Sequence, residues 1–186
     1  MNEMLKQQRM TVDEFIPWAM AQPRGRYELI DGEVVMMWPE RLIHVRAKTS
    51  TYLALNAALK RMGLACEAMG DGVTVRIDER TAYEPDALVY CGPRREGDDV
   101  EVPNPVIVVE VLSPSTSYTD TGGKFIGYFS LPSVRHYLIV DPEKRAIVHH
   151  ARSDDGQIAS TTATEGTLIL DPPGIEVTVA DMLPAE

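Results

Sequence analysis

The succession of a hairpin, a long helix, several short strands, a second helix and a closing hairpin predicts an α/β fold in one domain. Three observations carry that prediction. An Asp-Gly pair separates two extended runs near the start, and residues Leu42 to Met62 contain neither Gly nor Pro. Two β-rich segments, at 85–90 and 106–111, are bounded by Pro and Gly.

Taken in order, Thr11 is placed to cap a short helix. Glu14 completes a capping box ahead of Phe15 and Trp18, and Pro23 and Gly25 end the helix. Asp31-Gly32, between the runs 27–30 and 33–35, supplies the positive φ values of a tight hairpin turn. In the long helix Val45, Tyr52, Leu55, Leu59 and Met62 recur at helical spacing, and Gly63 is a fitting stop. The run 72–77 alternates, with Val73, Val75 and Ile77 on one face. The run 106–111 is apolar on both faces around Glu110, as a central strand covered on both sides requires. Residues 92–104 are polar and read as a surface loop. Cap chemistry over 113–119 starts a helix to about Ser130, weakened by Gly122, Gly123 and Gly127. Residues 136–140 and 146–150 form a last hairpin around Asp141-Pro142. The single domain is expected over 1–186, with its core at about 11–150 and an acidic C-terminal extension at 151–186 carrying one strand at 167–170.

Composition narrows the function classes. Hydrophobic residues make up 44% of 186, enough for a sizeable core, which excludes wholesale disorder. Two cysteines, Cys66 and Cys91, exclude a disulfide scaffold or a Cys-rich zinc module; they are expected as buried small apolar residues in a reducing cytoplasm. No leader pattern opens the chain, and its apolar runs fall far short of the ~18–20 residues a bilayer span needs. The net charge of −10 argues against coating nucleic acid through bulk charge. The charge is uneven, however. Residues 1–61 are net basic, with Arg41, Arg46, Lys48, Lys60 and Arg61 along the long helix, whereas the loop at 92–104 and the tail are acidic. That distribution limits affinity for nucleic acid without excluding it as a substrate.

The chemistry concentrates at two acids. Asp86 opens one strand and Glu110 lies near the end of the next, so neighbouring strands would bring both carboxylates to one sheet edge. Two acids there are costly without a compensating positive charge, and Mg²⁺ suits carboxylate and water oxygens. Leu112 shares the face of Glu110, and Lys124 is the nearest downstream lysine, one turn after Asp120. Adjacent His149 and His150 point to opposite faces of a strand and cannot easily share a metal. Gly122-Gly123-Lys124 lacks the first glycine and the Ser/Thr of a phosphate loop.

The string Pro85-Asp86, then 109–116 (VEVLSPST), Asp120, Lys124, Tyr128 and 134–142 (VRHYLIVDP), resembles the Uma-two family. These are restriction-endonuclease-like proteins of the PD-(D/E)xK nuclease superfamily. Residues 27–33 (YELIDGE) and His44 also match, so the resemblance covers roughly 11–182. It implies a restriction-endonuclease-like mixed β-sheet core flanked by helices, and a metal-dependent endonuclease acting on DNA. Asp86, Glu110 and the backbone carbonyl of Val111 would hold Mg²⁺ or Mn²⁺. The superfamily pattern places lysine where this chain has Leu112, so Lys124 would supply the cation from the following helix. Glu28 would add a carboxylate, and His44 would contact a phosphate or shuttle a proton. A homodimer would provide the two sites that double-strand cutting requires. Plainer readings stand beside these. Lys124 pairs with Asp120 on a surface, Glu28 is a strand-end acid facing water, and His44 lies in a solvated basic stripe with Arg41 and Lys48. Leu112 also keeps open a nuclease-fold module without catalysis that binds nucleic acid or protein.

Overall fold

The computed structural model describes residues 9–37, 39–113 and 118–183, with backbone alone over 118–121. Along the chain run α1 (Val12–Met20), β1 (Tyr27–Ile30), β2 (Glu33–Met36), α2 (Leu42–Met62), β3 (Glu67–Gly70), β4 (Val75–Arg76), β5 (Ala82–Tyr83), β6 (Ala87–Tyr90) and β7 (Ile107–Val111). They are followed by α3 (Tyr118–Ser130), β8 (His136–Asp141), β9 (Ala146–Arg152), β10 (Ile158–Ala163), β11 (Thr167–Leu170), β12 (Ile175–Thr178) and α4 (Val179–Met182). The predicted mixed α/β architecture is the one observed.

Local chemistry explains the early elements. Thr11 and Glu14 form the reciprocal capping box at α1. Asp31 and Gly32 both take positive φ, 51° and 81°, which lets β1 turn tightly into β2. Gly63 ends α2 in the left-handed conformation. The α2 stripe differs from its apolar periodicity, though. Val45 and Met62 are exposed, and the buried face runs His44, Ala47, Lys48, Thr51, Leu55 and Leu59. Only Val75–Arg76 of the expected 72–77 strand pairs as such, and the segment 114–117 expected to cap α3 lies outside the described residues.

The main sheet has the order β10-β9-β8-β7-β6-β3. Its neighbours are antiparallel except β7 and β8, which are parallel and joined through α3. Every residue of β7 is buried, because the two faces pack against different helices. Ile107, Val109 and Val111 join Leu55 and Leu59 of α2, while Val108 joins Tyr128 of α3 with Tyr137 and Ile139. A smaller sheet, β2-β1-β5-β4, packs Leu29 and Ala82 on Val12 and Phe15 of α1.

The C-terminal stretch corrects its expected role as an extension. Residues of β11, β12 and α4 (Leu168, Leu170, Ile175, Val177, Val179 and Met182) belong to the α2-side core. The alternating burial of β11 and β12 pairs this ribbon's apolar face to α2, and its polar composition belongs to the outward positions. The basic stripe is corrected too: Lys48 points into the protein, and Arg41 is paired with Glu143. The cysteines are not separate buried thiols. Cys66 and Cys91 continue the β3–β6 register by one step and are joined as a disulfide, with Cys91 exposed. Their number therefore carries no argument for a reducing compartment. Among the described residues no helix is long and apolar enough to cross a membrane.

His149 and His150 do face opposite sides of β9. His150 meets Ser160, Phe125 and Tyr137, while His149 lies 2.9 Å from the Nδ1 of His136. Burial, then the nearby His149, lowers the His136 pKa to about 4, and burial lowers His149 as well. The folded state therefore keeps these rings neutral, whereas an unfolded chain protonates them near pH 6.5. Their stabilising contribution is complete above about pH 6.5 and is lost as pH falls toward 4, on the order of 3 kcal/mol for His136. The urea midpoint is expected to drop between pH 7 and 4.5, with a shallower drop in His136→Gln. Equal slopes in the two proteins would remove His136 as the cause.

Candidate active site

Asp86 and Glu110 meet where two interior strands of the main sheet begin and end, because β6 and β7 are antiparallel neighbours with Ala87 opposite Val109. Asp86 is 5% exposed and Glu110 8%. The Asp86 backbone N–H donates to the Val109 carbonyl at 2.9 Å, which fixes the residue just before β6 begins. Its Oδ2 accepts from the Val111 N–H at 2.6 Å and its Oδ1 faces the Lys48 ammonium at 2.6 Å.

Lys124 arrives from the other side. Its Nζ lies 3.0 Å from Glu110 Oε1 and 2.8 Å from Glu28 Oε1. Tyr128, one turn later on α3, donates its hydroxyl to the same Glu110 oxygen at 2.6 Å. Gly127 makes this approach possible: a Cβ there would lie 2.7 Å from the Tyr83 ring. The glycine that weakens α3 as a helix thus lets it sit close, with the Lys124 ammonium 5.4 Å from the Tyr83 ring centroid. Leu112, at the usual lysine position, packs into the α3-side core.

Glu28 is buried on β1, on the opposite face from Leu29, and does not face water. Its Oε1 also accepts from the Glu84 N–H at 2.9 Å, so backbone and lysine together hold it. Arg26 then ties the periphery together, donating to Glu84 at 2.9 Å and to Asp71 at 2.6 Å. His44 is 1% exposed in the first turn of α2, and neither ring nitrogen has a hydrogen-bond partner among the described residues. Burial lowers its pKa, so it stands neutral near pH 7. The solvated stripe is thereby excluded for both His44 and Lys48. The side chain of Asp120, and with it the expected pairing with Lys124, lies outside the described residues.

Lys48 and Tyr128 were not among the site residues expected from sequence. Lys48 sits one turn after His44 on the same helical face, the only available sequence signal, and charge composition alone assigned that face to solvent. Tyr128 falls one turn after Lys124, which could have marked it.

Burial dominates the electrostatics. It pushes Glu110 above the ordinary carboxylate range, with the Asp86 and Glu28 charges adding to the effect and Lys124 opposing it. Asp86 is also raised by burial, against Lys48 and the Val111 N–H. Burial works against the Lys124 ammonium, but Glu110 and Glu28 outweigh it and hold the amine charged. The site is thus short of positive charge. Among the described residues no three His, Cys, Asp or Glu groups form a ready metal cage. Mg²⁺, however, is ordinarily held by one or two carboxylates with waters and phosphates. Two buried carboxylates raised by desolvation fit such a hard dication in donor chemistry and in charge.

With this arrangement of carboxylates and lysine in view, the profile of the Uma2 family, described as "Putative restriction endonuclease", matches residues 12–183. The chain belongs to the Uma2 family. Its matched span takes in all of the site residues and the β11–β12 ribbon. This Uma2 chain is 30% identical over 151 residues to the uncharacterized protein slr1290 of Synechocystis, covering 80% of this chain and 77% of that one. It is 28% identical over 82 residues to the uncharacterized protein sll1609 of the same organism, covering 43% and 46%. A crystal structure from Anabaena variabilis, described as "a putative nuclease belonging to DUF820", shares the fold with a TM-score of 0.73. That match covers 94% of this chain and 97% of that one at 15% identity.

Proposed function

We propose that this Uma2 chain is a divalent-metal-dependent endonuclease that hydrolyses phosphodiester bonds in DNA. One observation carries the reading: Lys124 reaches Glu110 beside Asp86, so two acids and a lysine converge although Leu112 fills the usual lysine position. The family description and the nuclease-like fold support it. Mg²⁺ or Mn²⁺, held by Asp86, Glu110 and the Val111 carbonyl, would supply an activated water and offset charge on the phosphate.

The chain's own residues do the rest. Lys124 opposes the burial that raises Glu110 and adds a positive charge where the phosphate gains negative charge. Tyr128 fixes the Glu110 rotamer, and Glu28 positions Lys124 in place of binding the ion directly. Neutral His44 offers one ring nitrogen to accept and the other to donate, which suits a phosphate oxygen or a proton in transit. Cutting both strands takes two sites, hence a homodimer, which light scattering on the purified chain tests.

The decisive assay is nicking of supercoiled plasmid. Activity is expected with Mg²⁺ or Mn²⁺, is removed by EDTA, and is lost in Asp86→Ala and Glu110→Ala. Absence of cleavage of every DNA and RNA form tried would overturn the enzymatic reading. A second reading has one observation in its favour: Lys48 and Lys124 already compensate the carboxylates. A nuclease-fold binding module with no catalysis then gives no heat on Mn²⁺ titration.

A further inference from the structure

Lys48 occupies an unusual place. It projects from α2, on the opposite face of the sheet from α3, and is 8% exposed. Of the two Asp86 oxygens, one is committed to the Val111 N–H and the other faces the Lys48 ammonium at 2.6 Å. A divalent ion arriving at Asp86 therefore meets a cation already seated on the oxygen it needs. The same ammonium also bonds Glu40 and lies 3.6 Å from Asp71. One positive charge faces three carboxylates, with Arg26 sharing only Asp71.

That surplus of acid makes exchange feasible. Displacing a buried lysine from its only partner leaves an uncompensated charge and costs several kcal/mol. Lys48 has two other partners, and both are nearer water. The side chains of Glu40 and Asp71 are 22% and 42% exposed against 5% for Asp86. A lysine's flexible four-carbon stem can follow them, whereas a planar guanidinium could not do so as readily.

We infer that Lys48 is a built-in stand-in for the divalent cation, holding Asp86 in the metal-free chain and withdrawing onto Glu40 and Asp71 when the ion binds. It is a positioning residue that sets the metal concentration at which the site loads. The inference rests on the metal-site reading above and goes beyond it in assigning the competitor.

The test is calorimetric titration of Mn²⁺ into the full chain, free of DNA, at pH 8. Lys48→Met is expected to bind Mn²⁺ about tenfold more tightly than the wild type, since the competing cation is gone. Glu40→Gln is expected to bind several-fold more weakly, because the displaced ammonium loses a partner. Asp86→Asn should give no heat in either background. A merely structural Lys48 predicts weaker binding in both variants, so the opposite signs discriminate. In EDTA the melting temperature of Lys48→Met should fall, and Mn²⁺ should raise it by more than in the wild type. If Lys48→Met does not fold even with Mn²⁺, Lys48→Gln takes its place, since its amide can still hydrogen-bond Glu40 without carrying charge: tighter Mn²⁺ binding than the wild type supports the inference, and equal or weaker binding overturns it. Equal or weaker Mn²⁺ affinity in a folded Lys48→Met overturns the inference and leaves the metal site standing. No Mn²⁺ heat in the wild type or in either variant overturns the metal site itself.

Discussion

Replacing Lys124 by Met is expected to cost both activity and stability. Its ammonium lies against two buried carboxylates, Glu28 and Glu110, each less than about one-tenth exposed. Removing one partner of a buried ion pair leaves uncompensated charge, at a cost of about 3–5 kcal/mol. Metal-dependent nicking should fall by about 10²–10³-fold, the loss typical when one preorganised electrostatic group at a reacting centre is removed. The two effects separate in a double variant. Lys124→Met combined with Glu28→Gln neutralises one of the orphaned acids and leaves the proposed metal ligands in place, so the urea midpoint should recover in part while nicking stays lost. If Lys124→Met keeps wild-type nicking at a temperature where it is folded, Lys124 is only a counter-ion.

Deleting residues 164–186 should prevent folding altogether. The segment contributes Leu168, Leu170, Ile175, Val177, Val179, Met182 and Leu183 to the core around α2, all 6% exposed or less. At roughly 1.5–3 kcal/mol for each fully buried large apolar side chain, their sum matches or exceeds the ~5–15 kcal/mol by which domains are stable. Circular dichroism and a urea titration on the truncated chain check this. A cooperative unfolding transition near the wild-type midpoint would return the tail to the status of an appendage.

Much of the local structure was legible because its causes are local. Thr11 with Glu14, Asp31-Gly32 and Gly63 each act within a few residues through capping or positive φ, and they started, turned and ended their elements where expected. Asp86 and Glu110 were legible as neighbours, since each sits at the border of a run too apolar to be anything but a covered strand. Lys48 was not. Its neighbours on α2 include Arg41 and Arg46, and nothing along the chain distinguishes a lysine facing water from one facing Asp86. The β11–β12 ribbon was hidden for a related reason. Polar residues at its outward positions dominate the composition, while apolar residues at alternate positions carry the burial.

By itself the sequence determined the α/β element order, the turns and caps, and the pair of acids at the ends of neighbouring strands, because these depend on backbone preferences and short-range periodicity. Only the tertiary structure decided which cations answer those acids. Lys124 and Lys48 come from helices on opposite faces of one sheet, and their meeting depends on β6–β7 register, on the close approach at Gly127, and on which face of α2 turns inward. Those are long-range packing choices, and they set an ammonium against each of two costly buried carboxylates.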